Sequence, residues 1–279
     1  MMITINDALV HVGNGGRDFN SDLPTVLFLH GSGLDHRSWA LQTRWFAYNG
    51  FSVLAPDFPG HSLSHGEPLV SIEESGAWLA DLLIHTGVKS AHVVGHSQGF
   101  LSALELAMVK TSAVKSLTGI ATAAAIPVNP MLIDTAHKSA MQAADMMLQW
   151  GFGKNIHLGL SPTPGMQPIS IGRQIMGNNP LAVDLQVCSN YKCGDLAASK
   201  IHCPASMILA GQDKMTPLKS GLALAEALDA KVTVLQEYGH MLPIEAPKLV
   251  MKILRDFILE QESRQGVASQ KPEARQDQA

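Results

Sequence analysis

Residues 95–99 read Gly-His-Ser-Gln-Gly, and they stand between two stretches of different character. Ala91-His92-Val93-Val94 before them is an apolar run with strand propensity. Phe100-Leu101-Ser102-Ala103-Leu104-Glu105-Leu106-Ala107-Met108 after them is rich in Ala and Leu and suits a helix laid on a sheet. A chain that leaves a buried strand and enters a helix so quickly must turn sharply. Glycine at 95 and 99 removes the side chains that would collide in such a turn, and Ser97 at its centre is expected in a strained backbone conformation with its hydroxyl above the sheet. In this strand–turn–helix context G-x-S-x-G is the sequence form of a nucleophile elbow.

A serine hydroxyl attacks poorly unless a base removes its proton and a third group orients that base. In chain order the partners of an elbow serine are an acid and then a histidine, each on a loop after a later strand. Ala205-Ser206-Met207-Ile208-Leu209-Ala210 reads as a buried strand and runs into Gly211-Gln212-Asp213-Lys214, a turn that presents Asp213. Lys231-Val232-Thr233-Val234-Leu235 alternates as a strand should, and Tyr238-Gly239-His240-Met241 follows it on a loop. The chain has 12 histidines, so a histidine downstream of Ser97 means little by itself. His240 is singled out because it lies between the last expected strand and a terminal helix beginning near Ala246. Taken alone, Asp213 is also a turn former or a helix cap, and His240 a surface-loop histidine. Their order and their loops make them the acid and the base.

Pro24-Thr25-Val26-Leu27-Phe28-Leu29 is a third apolar run, and it ends in His30-Gly31-Ser32-Gly33. With these residues the chain resembles the α/β-hydrolase superfamily, in which an HG-x loop follows this strand. The resemblance implies a mostly parallel eight-stranded sheet with helices on both faces, and an oxyanion hole made by the backbone N–H groups of Ser32 and Gln98. It makes Gly31 and Gly33 points of close substrate approach and gives His30 a bracing role. Asp57-Phe58-Pro59-Gly60-His61-Ser62-Leu63-Ser64 resembles the family's D-x-P-G-x-G-x-S loop, with Ser62 where glycine is usual. Asp57 is expected to organise that loop and Trp39 to pack on the core. Serine at the elbow separates the chain from haloalkane dehalogenases and epoxide hydrolases of this fold, which use aspartate.

A length of 279 residues with 46% hydrophobic content supplies one α/β domain with an insertion. A net charge of −4 and a pI near 6.3, without a basic cluster, argue against nucleic acid or an anionic membrane as partner and favour a small-molecule substrate. The N-terminal Met1-Met2-Ile3-Thr4-Ile5 lacks the form of a signal peptide, and no long apolar run reads as a membrane span, so a cytoplasmic location is expected. Three cysteines build no disulfide framework; Cys188 and Cys193 lack a second ligand pair, and Cys203 reads as core. No metal and no cofactor is expected.

Strand–helix alternation runs from an N-terminal hairpin (Ile3 to about Val12) to Ile120 and resumes at Pro204, which gives core segments 1–125 and 199–262. Between them, residues 126–198 carry helical stretches without clear strands, punctuated by Pro127, Pro130, Pro162, Pro164, Pro168 and Pro180. An insertion at this place resembles the cap that many family members fold over the active site. Met141, Met146 and Met147 lie on one of its helices, and their plain reading is packing of cap on core. Met146, together with Met241 beside the base, is taken as substrate-facing. Residues 263–279 lack the apolar content to fold and are expected to be disordered. The reaction these features imply is hydrolysis of a small carboxylic ester through an acyl-enzyme. Carbon–carbon bond hydrolysis, lactone opening, thioester cleavage, acyl transfer and perhydrolysis use the same site, and a non-catalytic ligand-binding protein or a homodimer formed through the cap is compatible with the sequence.

Overall fold

The computed structural model describes residues 1–161 and 165–268. Its centre is an eight-stranded sheet of β1 (Met2–Ile5), β2 (Ala8–Gly13), β3 (Thr25–Leu29), β4 (Ser52–Pro56), β5 (Ala91–His96), β6 (Val114–Ile120), β7 (Ala205–Ala210) and β8 (Lys231–Leu235), in the order β1-β2-β4-β3-β5-β6-β7-β8. The hairpin β1–β2 and the β2–β4 pair are antiparallel, and the remaining pairs are parallel. β3, β4, β5 and β7 are buried along their whole length, which is why they read as near-continuous apolar runs. The register pairs Leu29 with Gly95 and Gly95 with Gly119, so the loops after β3, β5 and β6 leave one edge of the sheet together.

Twelve helices surround the sheet among the described residues: α1 (Ala40–Ala47), α2 (Ile72–His85), α3 (Gln98–Val109), α4 (Pro130–Lys138), α5 (Ala140–Gly151), α6 (Lys154–His157), α7 (Pro168–Met176), α8 (Leu181–Asn190), α9 (Gly194–Ser199), α10 (Leu218–Ala227), α11 (Leu242–Glu245) and α12 (Pro247–Ala268). Alternate side chains of each strand feed opposite faces. Leu27 and Leu29 meet α2 and α3 in one buried cluster, while Val26 and Phe28 meet α1 and α12 in another. Trp39 lies in the second cluster, its ring centroid 5.3 Å from that of Phe28. Phe100, the residue after the elbow, is fully buried in the first.

The segment between β6 and β7 is helical, α4 to α9, as its composition implies. Pro130 and Pro168 sit in the first turns of α4 and α7, where the missing N–H costs nothing; Pro162 and Pro164 lie outside the described residues. Leu132, Ala144, Leu148, Ile175 and Leu185 form a cluster of their own that takes in Leu34 and Met241 from core loops. The end of α8 and α9 pack on the core instead: Val187, Cys188, Tyr191, Ala197 and Ala198 belong to the cluster that holds Leu27 and α3.

The C-terminal boundary also shifts. α12 continues from 263 through Ala268 instead of ending, because adding a residue to an existing helix costs little and Arg264 pairs with Glu260 one turn back at 2.6 Å. Residues 269–279 lie outside the described residues. Among the described residues no helix is long and apolar enough to cross a membrane. The three cysteines are free thiols: Cys188 is buried, Cys203 half-buried and Cys193 exposed.

Candidate active site

The turn between β5 and α3 has the strain its glycines imply. Ser97 adopts φ 53° and ψ −122°, with its N–H bonded to the Ile120 carbonyl at 2.9 Å and its own carbonyl accepting from Thr122 Oγ1 at 3.0 Å. A side chain at Gly95 would stand 2.5 Å from the Phe100 backbone, and one at Gly99 would run into the carbonyl oxygens of Leu29 and His30. These two glycines therefore let strand, turn and helix close on one another.

The loop after β3 lies against this turn. A Cβ at Gly31 would be 3.2 Å from Ser97 Cβ. His30 donates from Nδ1 to the Gly31 carbonyl (3.0 Å) and accepts at Nε2 from the Phe58 N–H (3.3 Å), tying the loop to the segment after β4. Burial and the nearby His61 hold it neutral, with a pKa of about 4. The backbone N–H groups of Ser32 and Gln98 donate to no other group among the described residues, and the Ser32 hydroxyl donates to the Gln98 side-chain oxygen. The side chains thus fasten the two free amides to one another, a contact the sequence did not reveal.

Asp213 and His240 meet. His240 Nδ1 lies 2.8 Å from Asp213 Oδ2, and both side chains are almost wholly buried. The carboxylate also accepts from Thr216 Oγ1 (2.7 Å) and from the backbone N–H groups of Met215 and Thr216 (2.8 Å each). Burial alone would raise the Asp213 pKa, but the His240 charge and these donors bring it below the usual carboxylate range. Since a carboxylate only accepts, Nδ1 carries the proton and Nε2 is left as the basic nitrogen. The loop is held from behind by Glu245, which accepts from Gly239 N–H and Gly153 N–H at 2.9 Å each; burial raises its pKa to about 7. His96 donates from Nε2 to the His240 carbonyl at 2.9 Å, and its buried Nδ1 has no partner among the described residues.

Ser97 and His240 line one cavity of about 30 Å³, together with Ser32, His96 and an otherwise apolar wall. No direct hydrogen bond joins Ser97 Oγ to His240 among the described residues, and in unliganded sites such bonds often form only with substrate in place. Met241 lines the cavity as expected from its place beside His240. Met146 does not; Met147, one residue and 100° further round α5, takes that place with Met176 and Met215. Gly33 does not line this cavity either: its N–H donates to Asp184 Oδ2 at 2.6 Å, and Leu181 of the insertion stands against it. Gly31 backs the Ser97 side without lining the cavity.

Asp184 belongs to a buried clamp that sequence reasoning missed. It holds His61 Nε2 at 2.9 Å as well as Gly33, while Asn179 accepts from Ser62 N–H (2.8 Å) and donates to the Gly33 and Leu34 carbonyls (3.0 Å each). Ser62, standing where the family has glycine, adopts φ 48°, and the Asn179 bond helps hold it there. Asp57 does not approach His240. It is enclosed by His36 Nδ1 (2.7 Å), His36 N–H (2.9 Å) and His11 Nδ1 (2.9 Å); although burial pushes its pKa up, the His36 contacts bring it down to about 2. His11, His36 and Asp57 are the one group among the described residues with donor atoms close enough to share a metal ion, and none of them lines the Ser97 cavity.

A mostly parallel sheet with a serine in the strand-to-helix turn after β5 and a histidine–carboxylate pair on the loops after β7 and β8 is the arrangement of an α/β-hydrolase fold. Residues 26–253 match the Alpha/beta hydrolase family, and the chain belongs to it. It is 28% identical over 231 residues to the pimeloyl-[acyl-carrier protein] methyl ester esterase of Chromobacterium violaceum, covering 78% of this chain and 87% of that one. It is 36% identical over 85 residues to the dihydrolipoyllysine-residue acetyltransferase component of the acetoin cleaving system of Cupriavidus necator, a match to 30% of this chain and only 22% of that protein. The enol-lactonase of Burkholderia xenovorans superposes with a TM-score of 0.81 at 22% identity, over 93% of this chain and all of that one.

Proposed function

We infer that the enzyme hydrolyses small carboxylic esters through an acyl-enzyme on Ser97. The observation that carries this reading is the His240 Nδ1–Asp213 Oδ2 contact of 2.8 Å behind a cavity that Ser97 also lines. Ser97 Oγ attacks the ester carbonyl as His240 Nε2 takes its proton, and the free amides of Ser32 and Gln98 receive the oxyanion. His240 returns the proton to the departing alcohol, then activates the water that releases the acid. Asp213 keeps the tautomer and stabilises the imidazolium.

The cavity wall selects among the reactions open to such a site. Leu34, Ile126, Val128, Leu185 and four methionines, Met147, Met176, Met215 and Met241, line it, and among the described residues no Lys, Arg, Asp or Glu does. A short apolar acyl group fits this wall, and thioether side chains repack around modest variation. A dienoate with a free carboxylate next to the reacting carbon would meet no cation, which argues against carbon–carbon bond hydrolysis. The test is turnover of 4-nitrophenyl acetate and butyrate by the enzyme and by Ser97→Ala. The variant is expected to keep its fold and lose activity by about four orders of magnitude; a folded Ser97→Ala enzyme that retains more than a tenth of the activity removes Ser97 from the mechanism.

A further inference from the structure

The cavity at Ser97 is small, at about 30 Å³, and its methionine wall must repack to admit even a short acyl group. In the ester-hydrolase reading the acyl group stays there, bonded to Ser97, while the alcohol must leave. Ile126, Val128, Leu185 and Met215 line this cavity and also a groove of about 290 Å³, so one layer of side chains separates the two. Pro127, Asn129 and Lys214, all exposed, bring the groove to the surface. Its floor is apolar, with Leu132 and Trp150 beside the shared residues, and Lys214 is the one charged side chain in its lining. A second groove of about 310 Å³ shares Lys214 and adds Lys154 and His157, and no carboxylate lines either. Lys214 has no ion-pair partner among the described residues, and its backbone is fixed beside Asp213, whose carboxylate accepts the Met215 N–H.

An apolar groove beside the Ser97 cavity, with an ammonium at its mouth that has no ion-pair partner among the described residues, complements an alcohol with an apolar body and an anionic terminus. We propose that the substrate is such an ester, its alcohol portion carrying a carboxylate or phosphate that Lys214 holds in the groove. This rests on the ester-hydrolase reading, and the two can be tested apart. The probes are the acetate esters of 3-(4-hydroxyphenyl)propionic acid and of its amide, matched in size and differing in charge, with the enzyme, Lys214→Glu and Lys214→Arg. An exposed ion pair changes rates by a few-fold and charge reversal doubles the change. Lys214→Glu is therefore expected to lower kcat/KM about tenfold on the anionic ester and less than twofold on the amide. Lys214→Arg stays near the parent enzyme, and 0.5 M salt is expected to shrink the Lys214→Glu effect. Equal changes on both esters, no change on either, or a selective effect on an aryl hemisuccinate with the charge on its acyl side overturns the proposal. Turnover of the neutral amide ester, abolished in Ser97→Ala, checks the ester-hydrolase reading separately; if the enzyme cleaves neither ester, both readings fall.

Discussion

Replacing Asp184 by alanine and, separately, by asparagine distinguishes a buried ion pair from a plain hydrogen-bond anchor. His61 Nδ1 faces the Pro59 carbonyl at 3.1 Å and Nε2 faces the Asp184 carboxylate at 2.9 Å. Both partners are acceptors, so with Asp184 ionised both ring nitrogens carry protons and His61 is an imidazolium. Burial opposes that charge, but the Asp184 charge, its hydrogen bond and the Pro59 carbonyl outweigh it, and the His61 pKa rises above its ordinary value. Alanine at 184 leaves a buried His61 without its partner and the Gly33 N–H without an acceptor. Removing one member of a buried pair costs about 3–5 kcal/mol, which for a chain of this length lowers Tm by about 10 °C. Asparagine is different. Gly33 N–H and His61 Nε2 meet the same carboxylate oxygen, so an asparagine oxygen in its place still accepts from both, with His61 neutral and its proton on Nε2; only the Nδ1 contact with the Pro59 carbonyl is lost, and the expected cost is about 1 kcal/mol.

The pH dependence fixes the sign. A histidine with a raised folded pKa contributes stability that is fully present below its unfolded value of about 6.5 and is lost as pH rises through the folded value. The unfolded-state titration of His61 is common to both proteins, so the difference in Tm between the parent enzyme and Asp184→Asn, followed by calorimetry from pH 5 to 9, is expected to favour the parent most at low pH, to shrink as pH rises, and to level off above the folded His61 value. Titrations elsewhere are common to both proteins and cancel. An Asp184→Asn enzyme as unstable as Asp184→Ala, or a difference that does not vary with pH, refutes the imidazolium assignment.

Asp213→Asn is expected to lower kcat for 4-nitrophenyl acetate by about four orders of magnitude with little change in KM, because an amide at 213 favours the wrong His240 tautomer; unchanged kcat would move the acid elsewhere. Asp57, brought down to about 2 by its His36 contacts against the opposing effect of burial, contributes stability present above its ordinary value of 3.8 and lost as pH falls through the folded value. A shift of this size is worth about 2 kcal/mol. Acid denaturation of Asp57→Asn, followed by circular dichroism, is expected to lose this part of the parent's stability decline between about pH 4 and 2, and a decline as steep as the parent's would count against the pairing.

Ser97, Asp213 and His240 were legible because each closes a strand-to-loop junction whose cause is local. An apolar run sets the strand, a glycine or turn former ends it, and parallel register then brings the ends to one edge without further instruction. The backbone amides of Ser32 and Gln98 were located by the same logic, since backbone groups need no side-chain signal. Met146 and Met147 could not be separated in this way. Adjacent helix positions differ by 100° in direction, and choosing between them requires the orientation of α5, which is set by its packing against α4 and α7.

The clamp at Asp184 was illegible for a more general reason. Its contacts span 123 residues to His61 and 151 to Gly33, and nothing near Asp184 marks it as buried. In α8 the buried positions Leu181, Leu185, Val187 and Cys188 point in several directions, so no single polar face advertises where an aspartate would meet solvent. The same side chain on the same helix would be an ordinary surface acid if α8 were turned by half a revolution. What decides its role is the partner set waiting on the core: a glycine N–H freed by the turn after β3 and a histidine fixed by a proline carbonyl. Those groups are themselves products of local geometry at Gly33 and Pro59. A long-range buried pair of this kind is read by asking, at each loop the sequence does reveal, which donors the turn leaves unsatisfied and what must come to meet them.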